Sequence, residues 1–117
     1  MRIQSKELKN RVRIELEGDA TIQNIEKIHG EIVEAVKADK NLEVTTSGIT
    51  KTDVSFLQLL YGLYLSQKSR NKKLSFTEDP LPTVLTKTVE DTGFFRSAGV
   101  AGSKTMDEGD PFRRIMH

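Results

Sequence analysis

Arg11-Val12-Arg13-Ile14-Glu15-Leu16-Glu17, then Gly18-Asp19-Ala20, then Thr21-Ile22-Gln23-Asn24-Ile25-Glu26-Lys27-Ile28 is the stretch that decides the fold. In its first part Val12, Ile14 and Leu16 alternate with Arg13, Glu15 and Glu17. That period of two sets aliphatic side chains on one face of a strand and charges on the other. Beyond Thr21 the period changes. Ile22, Ile25, Ile28, Ile32 and Val36 recur at helical spacing, with Val33 and Ala35 beside them. This predicts an amphipathic helix of roughly four turns. Gly18-Asp19-Ala20 reads as the break between the two, and Thr21 as the helix N-cap, its hydroxyl placed to accept from a free first-turn amide. A strand that feeds a helix at once is the mark of an α/β crossover.

Upstream, Met1 to Leu8 reads as a second extended segment. Lys9-Asn10 makes the hairpin connection, because asparagine tolerates a left-handed backbone. Downstream, the first helix gives out at Ala38-Asp39-Lys40-Asn41. Leu42-Glu43-Val44 opens a short strand that Ser47-Gly48 closes. From Val54 to about Lys68 the spacing is helical again, with Phe56, Leu57, Leu59, Leu60, Leu63 and Tyr64 covering more than half of the circumference. A helix this apolar is packed on two sides or carries an interaction face, and it permits a homodimer. Lys72 to Phe76 reads as a strand with Leu74 and Phe76 inward. Thr77 to Pro82 is a loop, because Pro80 and Pro82 do not share a helix interior. Thr83 to Thr92 is a third helix with Val84, Leu85 and Val89 inward and Gly93 as its C-terminal cap. Phe94-Phe95 are expected to close the core. The chain is therefore expected to be a single α/β domain over residues 1–97, a mixed four-stranded sheet with an N-terminal hairpin and three covering helices. Residues 98–117, rich in Gly, Ser and Asp, are expected to form a flexible tail.

The bulk numbers agree with one small core: 117 residues, 36% hydrophobic and 30% charged. A net charge of +1 gives no electrostatic case for nucleic acid or an anionic membrane. The basic pairs Lys72-Lys73 and Arg113-Arg114 read as solvated surface. There is no cysteine, hence no disulfide, thiol nucleophile or thiolate metal site. The N-terminus lacks the apolar run of a signal peptide, and the longest apolar-rich stretch, Phe56 to Leu65, is too short to span a bilayer. A cytoplasmic protein is expected.

The residues offer little for catalysis. No glycine-rich phosphate loop follows a strand. The histidines are His29, mid-helix, and His117, the last residue, and neither has partners for a metal site. Glu31 and Glu34 sit with Lys27 and Lys37 at ordinary helix ion-pair spacing. No cofactor, no metal and no enzymatic activity are expected. One constellation stands out: Asp53-Val54-Ser55-Phe56 at the start of the apolar helix. Asp53 is placed to cap that helix, and its charge suits the positive end. Ser55 then falls in the first turn, where a phosphate would meet a favourable helix field but a repelling Asp53. From these residues alone Ser55 is either a switch or an ordinary first-turn serine.

Three stretches resemble the STAS family, the anti-sigma factor antagonists and the cytoplasmic tails of sulfate-type transporters. Leu16-Glu17-Gly18-Asp19-Ala20-Thr21-Ile22 resembles that family's strand-turn-helix opening. Leu42 to Ile49 resembles its central strand, and Asp53-Val54-Ser55-Phe56-Leu57-Gln58-Leu59-Leu60 its signature loop and helix start. The likeness runs from about Arg11 to Phe94. The Gly-Asp-x-Thr-Ile and Leu-Gln-Leu-Leu runs are most similar to stand-alone bacterial members linked to chemotaxis and phospholipid transport. The resemblance implies a non-catalytic regulatory domain that binds a protein partner through the face around the signature loop and second helix. It matches Ser55 to the hydroxyl phosphorylated by a partner serine kinase and Asp53 to the family aspartate. The partner face it implies comprises Asp19, Asp53, Ser55, Phe56 and Tyr61. Val54, Phe56 and Thr45 depart from the serine, glycine and aspartate of the family pattern. The implied partner is an anti-sigma or kinase-like regulator; the alternative is a transporter ATPase or chemotaxis protein that the domain holds constitutively.

Overall fold

The computed structural model describes residues 1–78 and 81–93. Its strands are β1 (Arg2–Glu7), β2 (Arg11–Ala20), β3 (Asn41–Thr52) and β4 (Leu74–Phe76). Its helices are α1 (Ile25–Val36), α2 (Val54–Ser69) and α3 (Thr83–Thr92), with a 3-10 turn, Ile22–Asn24, ahead of α1. The four strands form one sheet in the order β1-β2-β3-β4. β1 and β2 are an antiparallel hairpin, Arg2 opposite Glu17 and Glu7 opposite Val12. β2, β3 and β4 run parallel, joined by α1 and α2 as crossovers. This is the mixed α/β architecture that the switch of period around Gly18 implies.

The helices leave one face of the sheet open. Val12, Ile14 and Leu16 of β2, Leu42 and Val44 of β3 and Leu74 and Phe76 of β4 are buried with Ile28, Ile32, Phe56, Leu57, Leu60 and Leu85. The opposite face carries charges in register, with Glu43 of β3 held by Arg13 at 2.7 Å and Arg11 at 3.4 Å. Those bonds, the one from Arg13 foremost, keep the Glu43 carboxyl below its ordinary pKa range.

Several elements differ from their expected form. β2 does not end at Glu17. It continues to Ala20 because Gly18, at φ +103°, turns the backbone without breaking the ladder. β3 likewise runs through Ser47-Gly48 to Thr52. Its pairing with β2 shifts register twice, between Glu15 and Glu17 and between Gly18 and Asp19. Each shift places an extra β3 residue against β2, which is a β-bulge. The first moves the inward side chain from Thr46 to Ile49, both buried. Gly48 lies at that bulge, and a Cβ there would stand 2.7 Å from Glu17 Cγ and 3.1 Å from the Leu16 carbonyl oxygen. Thr21 is not a side-chain cap; its carbonyl accepts the Asn24 amide, closing the 3-10 turn that exposes Ile22. The β1–β2 turn closes by a bond from the Leu8 amide to the Arg11 carbonyl, with neither Lys9 nor Asn10 left-handed. Among the described residues the left-handed non-glycine positions are Asp39 and Asn71, after α1 and α2. Gly93 caps α3 at φ +60°, as its sequence position suggests. Phe94, Phe95 and the expected tail lie outside the described residues.

Candidate functional site

β3 delivers the chain to Asp53, where the backbone is extended, and α2 begins at the next residue. The Asp53 carboxylate does three jobs at once. Oδ1 accepts the Ser55 amide at 3.1 Å and the Phe56 amide at 3.4 Å, capping α2. Oδ1 also accepts the hydroxyl of Ser55. Oδ2 accepts the Ile22 amide at 2.9 Å, so the same side chain holds the 3-10 turn that leads into α1. Partial burial alone would raise the Asp53 pKa. The bonds from Ser55 Oγ and from the amides of Ile22, Phe56 and Ser55 outweigh it and hold the carboxyl below the ordinary aspartate range.

Asp19 stands in the neighbouring strand at the same end of the sheet, paired in register with Lys51. Its Oδ1 accepts the Thr50 hydroxyl at 2.7 Å, and its carbonyl accepts Asn24 Nδ2 at 2.8 Å. Asp19, Asp53 and Ser55 therefore share the end of the sheet where β2 and β3 finish. Tyr61 lies further along α2, half-buried and stacked on Tyr64 with ring centroids 6.3 Å apart. The outward line of α2 runs through Val54, Gln58, Tyr61 and Leu65, with Val54 40% and Leu65 46% exposed. Phe56 corrects the expected partner face: its side chain is fully buried in the core. Helical spacing turns it away from the Val54–Gln58 line, so it supports the site from beneath and presents nothing to a partner.

Two polar residues that the sequence did not single out shape this molecule. Glu78 accepts the Thr46 amide at 3.0 Å, the Thr46 hydroxyl at 2.7 Å and the Thr77 hydroxyl at 2.6 Å. Burial opposes its ionisation, and the bonds from Thr77 and Thr46 outweigh that and lower its pKa. Gln67 is 1% exposed, and its Nε2 donates to the Lys40 and Lys73 carbonyls, both at 3.1 Å. No spacing in the sequence marks either one, because both bond to backbone brought in from distant elements. Among the described residues no group of three or more His, Cys, Asp or Glu is gathered to hold a metal ion. No described helix is long and apolar enough to cross a membrane.

A four-stranded sheet with an antiparallel hairpin edge, parallel crossovers and an Asp-capped second helix after the central strand defines an α/β domain of the STAS type. The chain belongs to the STAS family described as "Mlab, STAS domain", whose profile matches residues 3–100. Among solved structures it is similar to the anti-sigma factor antagonist SpoIIAA in its unphosphorylated form. The TM-score is 0.61 at 17% identity, over 84% of this chain and 99% of that one. It is also similar to the crystal structure of Mglu, with a TM-score of 0.56 at 9% identity, over 64% of this chain. The chain spans 19% of the length of Mglu. At these identities the likenesses establish the fold. No curated protein matches the chain.

Proposed function

We propose that this chain is a non-catalytic regulatory domain of the cytoplasm that works by docking a partner protein where β2 and β3 end and α2 begins. The docking face comprises Asp19, Asp53, Ser55 and Tyr61, extended along α2 by Val54 and Leu65. The observation that carries this reading is the shared carboxylate of Asp53. It holds the Ser55 hydroxyl, the first turn of α2 and the turn into α1 together. Phosphorylation of Ser55 by a partner serine kinase would replace a donating hydroxyl with a group of about −2 charge beside that carboxylate. The Ser55–Asp53 bond is then lost, repulsion strains the bond to Ile22, and the face changes while the core beneath stays intact. SpoIIAA is described as an anti-sigma factor antagonist, which supports a regulatory partner of that kind.

A second reading is supported by Val54 and Leu65. An exposed valine stands next to Ser55, and Leu65 is exposed further along α2. Apolar contact of that sort favours a partner held whatever the state of Ser55. The domain would then be a constitutive adaptor, as a subunit of a phospholipid ABC transporter or of a chemosensory complex.

The test is an affinity pull-down from the native cell with wild type, Ser55→Ala and Ser55→Asp, together with the intact mass of the native protein. A partner kept by wild type and Ser55→Ala, lost by Ser55→Asp, with a phosphate-sized mass shift, supports the switch. One partner held by all three forms, with no mass shift, supports the adaptor. Loss of the partner in none of these and also none after Tyr61→Ala or Asp19→Ala would overturn the proposed face.

A further inference from the structure

The opposite end of the sheet has a different chemistry. β2, β3 and β4 all begin there, and α2 ends there. A concavity of about 390 Å³ opens between them, lined by Asn10, Arg11, Asn41, Lys68, Lys72 and Lys73. Its volume is that of a site for a small ligand. These residues lie on three separate segments, and only the fold brings them together, which is why Lys72-Lys73 reads as plain surface in the sequence.

The polar side chains here present donors. Asn41 Oδ1 is already taken by the Lys73 amide at 3.0 Å, which leaves its NH2 group to act as a donor. Asn10 Oδ1 is taken by Arg11 Nη1 at 3.1 Å, with the same result. The backbone amides of Leu42 and Lys72 are spent on the Lys73 and Gln67 carbonyls. Lys68 lies over the ring of Tyr64, which also lines the concavity, at 5.9 Å from its centroid. Among the described residues no carboxylate lines the concavity. Arg11 shares Glu43 at 3.4 Å, but Glu43 is bound more closely by Arg13 at 2.7 Å. Among the described residues no carboxylate stands within ion-pair distance of Lys72 or Lys73. Lys72 and Lys73, with Arg11 and Lys68 beside them and two side-chain amides, suit a compact acceptor of several negative charges.

We propose that this concavity binds a phosphate-bearing anion, with Lys72 and Lys73 as its principal cations and Asn41 as an orienting donor. A space of this size takes one or two phosphate groups and excludes a nucleic-acid duplex. The phosphate can belong to a soluble phosphoryl compound or to the headgroup of a lipid. The site lies across the 12-residue length of β3 from Asp53 and Ser55, so it stands independently of the docking face.

The experiment uses the full chain at low ionic strength, where such attraction is least screened. Isothermal titration with inorganic pyrophosphate is run beside co-sedimentation with phosphatidylglycerol vesicles and with phosphatidylcholine vesicles. Two double variants are compared, Lys72→Gln/Lys73→Gln at the site and Lys51→Gln/Lys87→Gln, both exposed, away from it. Circular dichroism checks that each remains folded. The expected result is binding that weakens roughly tenfold or more in the first variant and stays near wild type in the second. Binding of pyrophosphate but not vesicles supports a soluble phosphate. Binding of the phosphatidylglycerol vesicles alone supports a lipid headgroup. Binding of neither, or equal weakening in both variants, overturns the proposal.

Discussion

Asp53 shows how much a single carboxylate does in this domain. As the N-cap of α2 it satisfies amides that the helix leaves without partners, and it reaches across to the Ile22 amide as well. Asp53→Ala is expected to lower stability by about 1–2 kcal/mol, the upper part of the range for a lost cap. Urea denaturation at neutral pH measures this. The folded-state pKa of Asp53 lies below its ordinary value. Its contribution is therefore full above the unfolded value of about 3.9 and is lost as pH falls through the depressed folded value. The stability gap between wild type and Asp53→Ala should close on the acid side of that window. A gap that stays constant into strong acid would mean the charge plays no part. The cap was legible in the sequence, since aspartate ahead of an apolar helical run has few other uses. The bond to Ile22 was not, because 31 residues separate donor and acceptor.

At the scale of the element, β3 is where sequence and structure part most. Its alternation is clear from Leu42 to Thr46, and then fails. The failure reads as an end but is a bulge, since an extra residue shifts the inward parity without stopping the pairing. In the sequence Gly48 reads as a terminator; its role is to let Glu17 and the Leu16 carbonyl approach closely. Gly48→Ala is expected to destabilise the domain by about 1–3 kcal/mol, the range for overpacking, read as a lower thermal midpoint. β4 supplies only three residues beside β3, and the Thr46 amide lies beyond it. Glu78 takes that amide with its carboxylate. Glu78→Ala should cost about 1–3 kcal/mol for the stranded donor at Thr46, which is fully buried. Hydrogen exchange at the Thr46 amide should rise in that variant and stay slow in one where Glu90, exposed on α3, is changed.

At the scale of the whole molecule, the α/β class, the order of elements and the helix-facing residues of β2, α2 and β4 were all legible, because each is written in a local period. Which residues share an end of the sheet is written in no local period, because that depends on strand order; the family resemblance alone groups Asp19 with Asp53, and nothing groups Lys72 and Lys73 with Asn41. Asp19 and Asp53 gather at one end, while Lys72, Lys73 and Asn41 gather at the other. Phe56 is the test of the core between them: Phe56→Ala is expected to cost about 3–5 kcal/mol, as measured by denaturant midpoint. A small effect would mean that this side chain faces solvent after all. The position of Glu78 has a further consequence, for self-association. A sheet with open margins is a template on which a second chain can add a strand. Here the β4 margin is three residues long, and the first amide of β3 past it is already taken by a charged side chain of the same chain. A strand seeking to pair with β3 past the end of β4 would have to displace that carboxylate first, so Glu78 closes this stretch of β3 to an added strand.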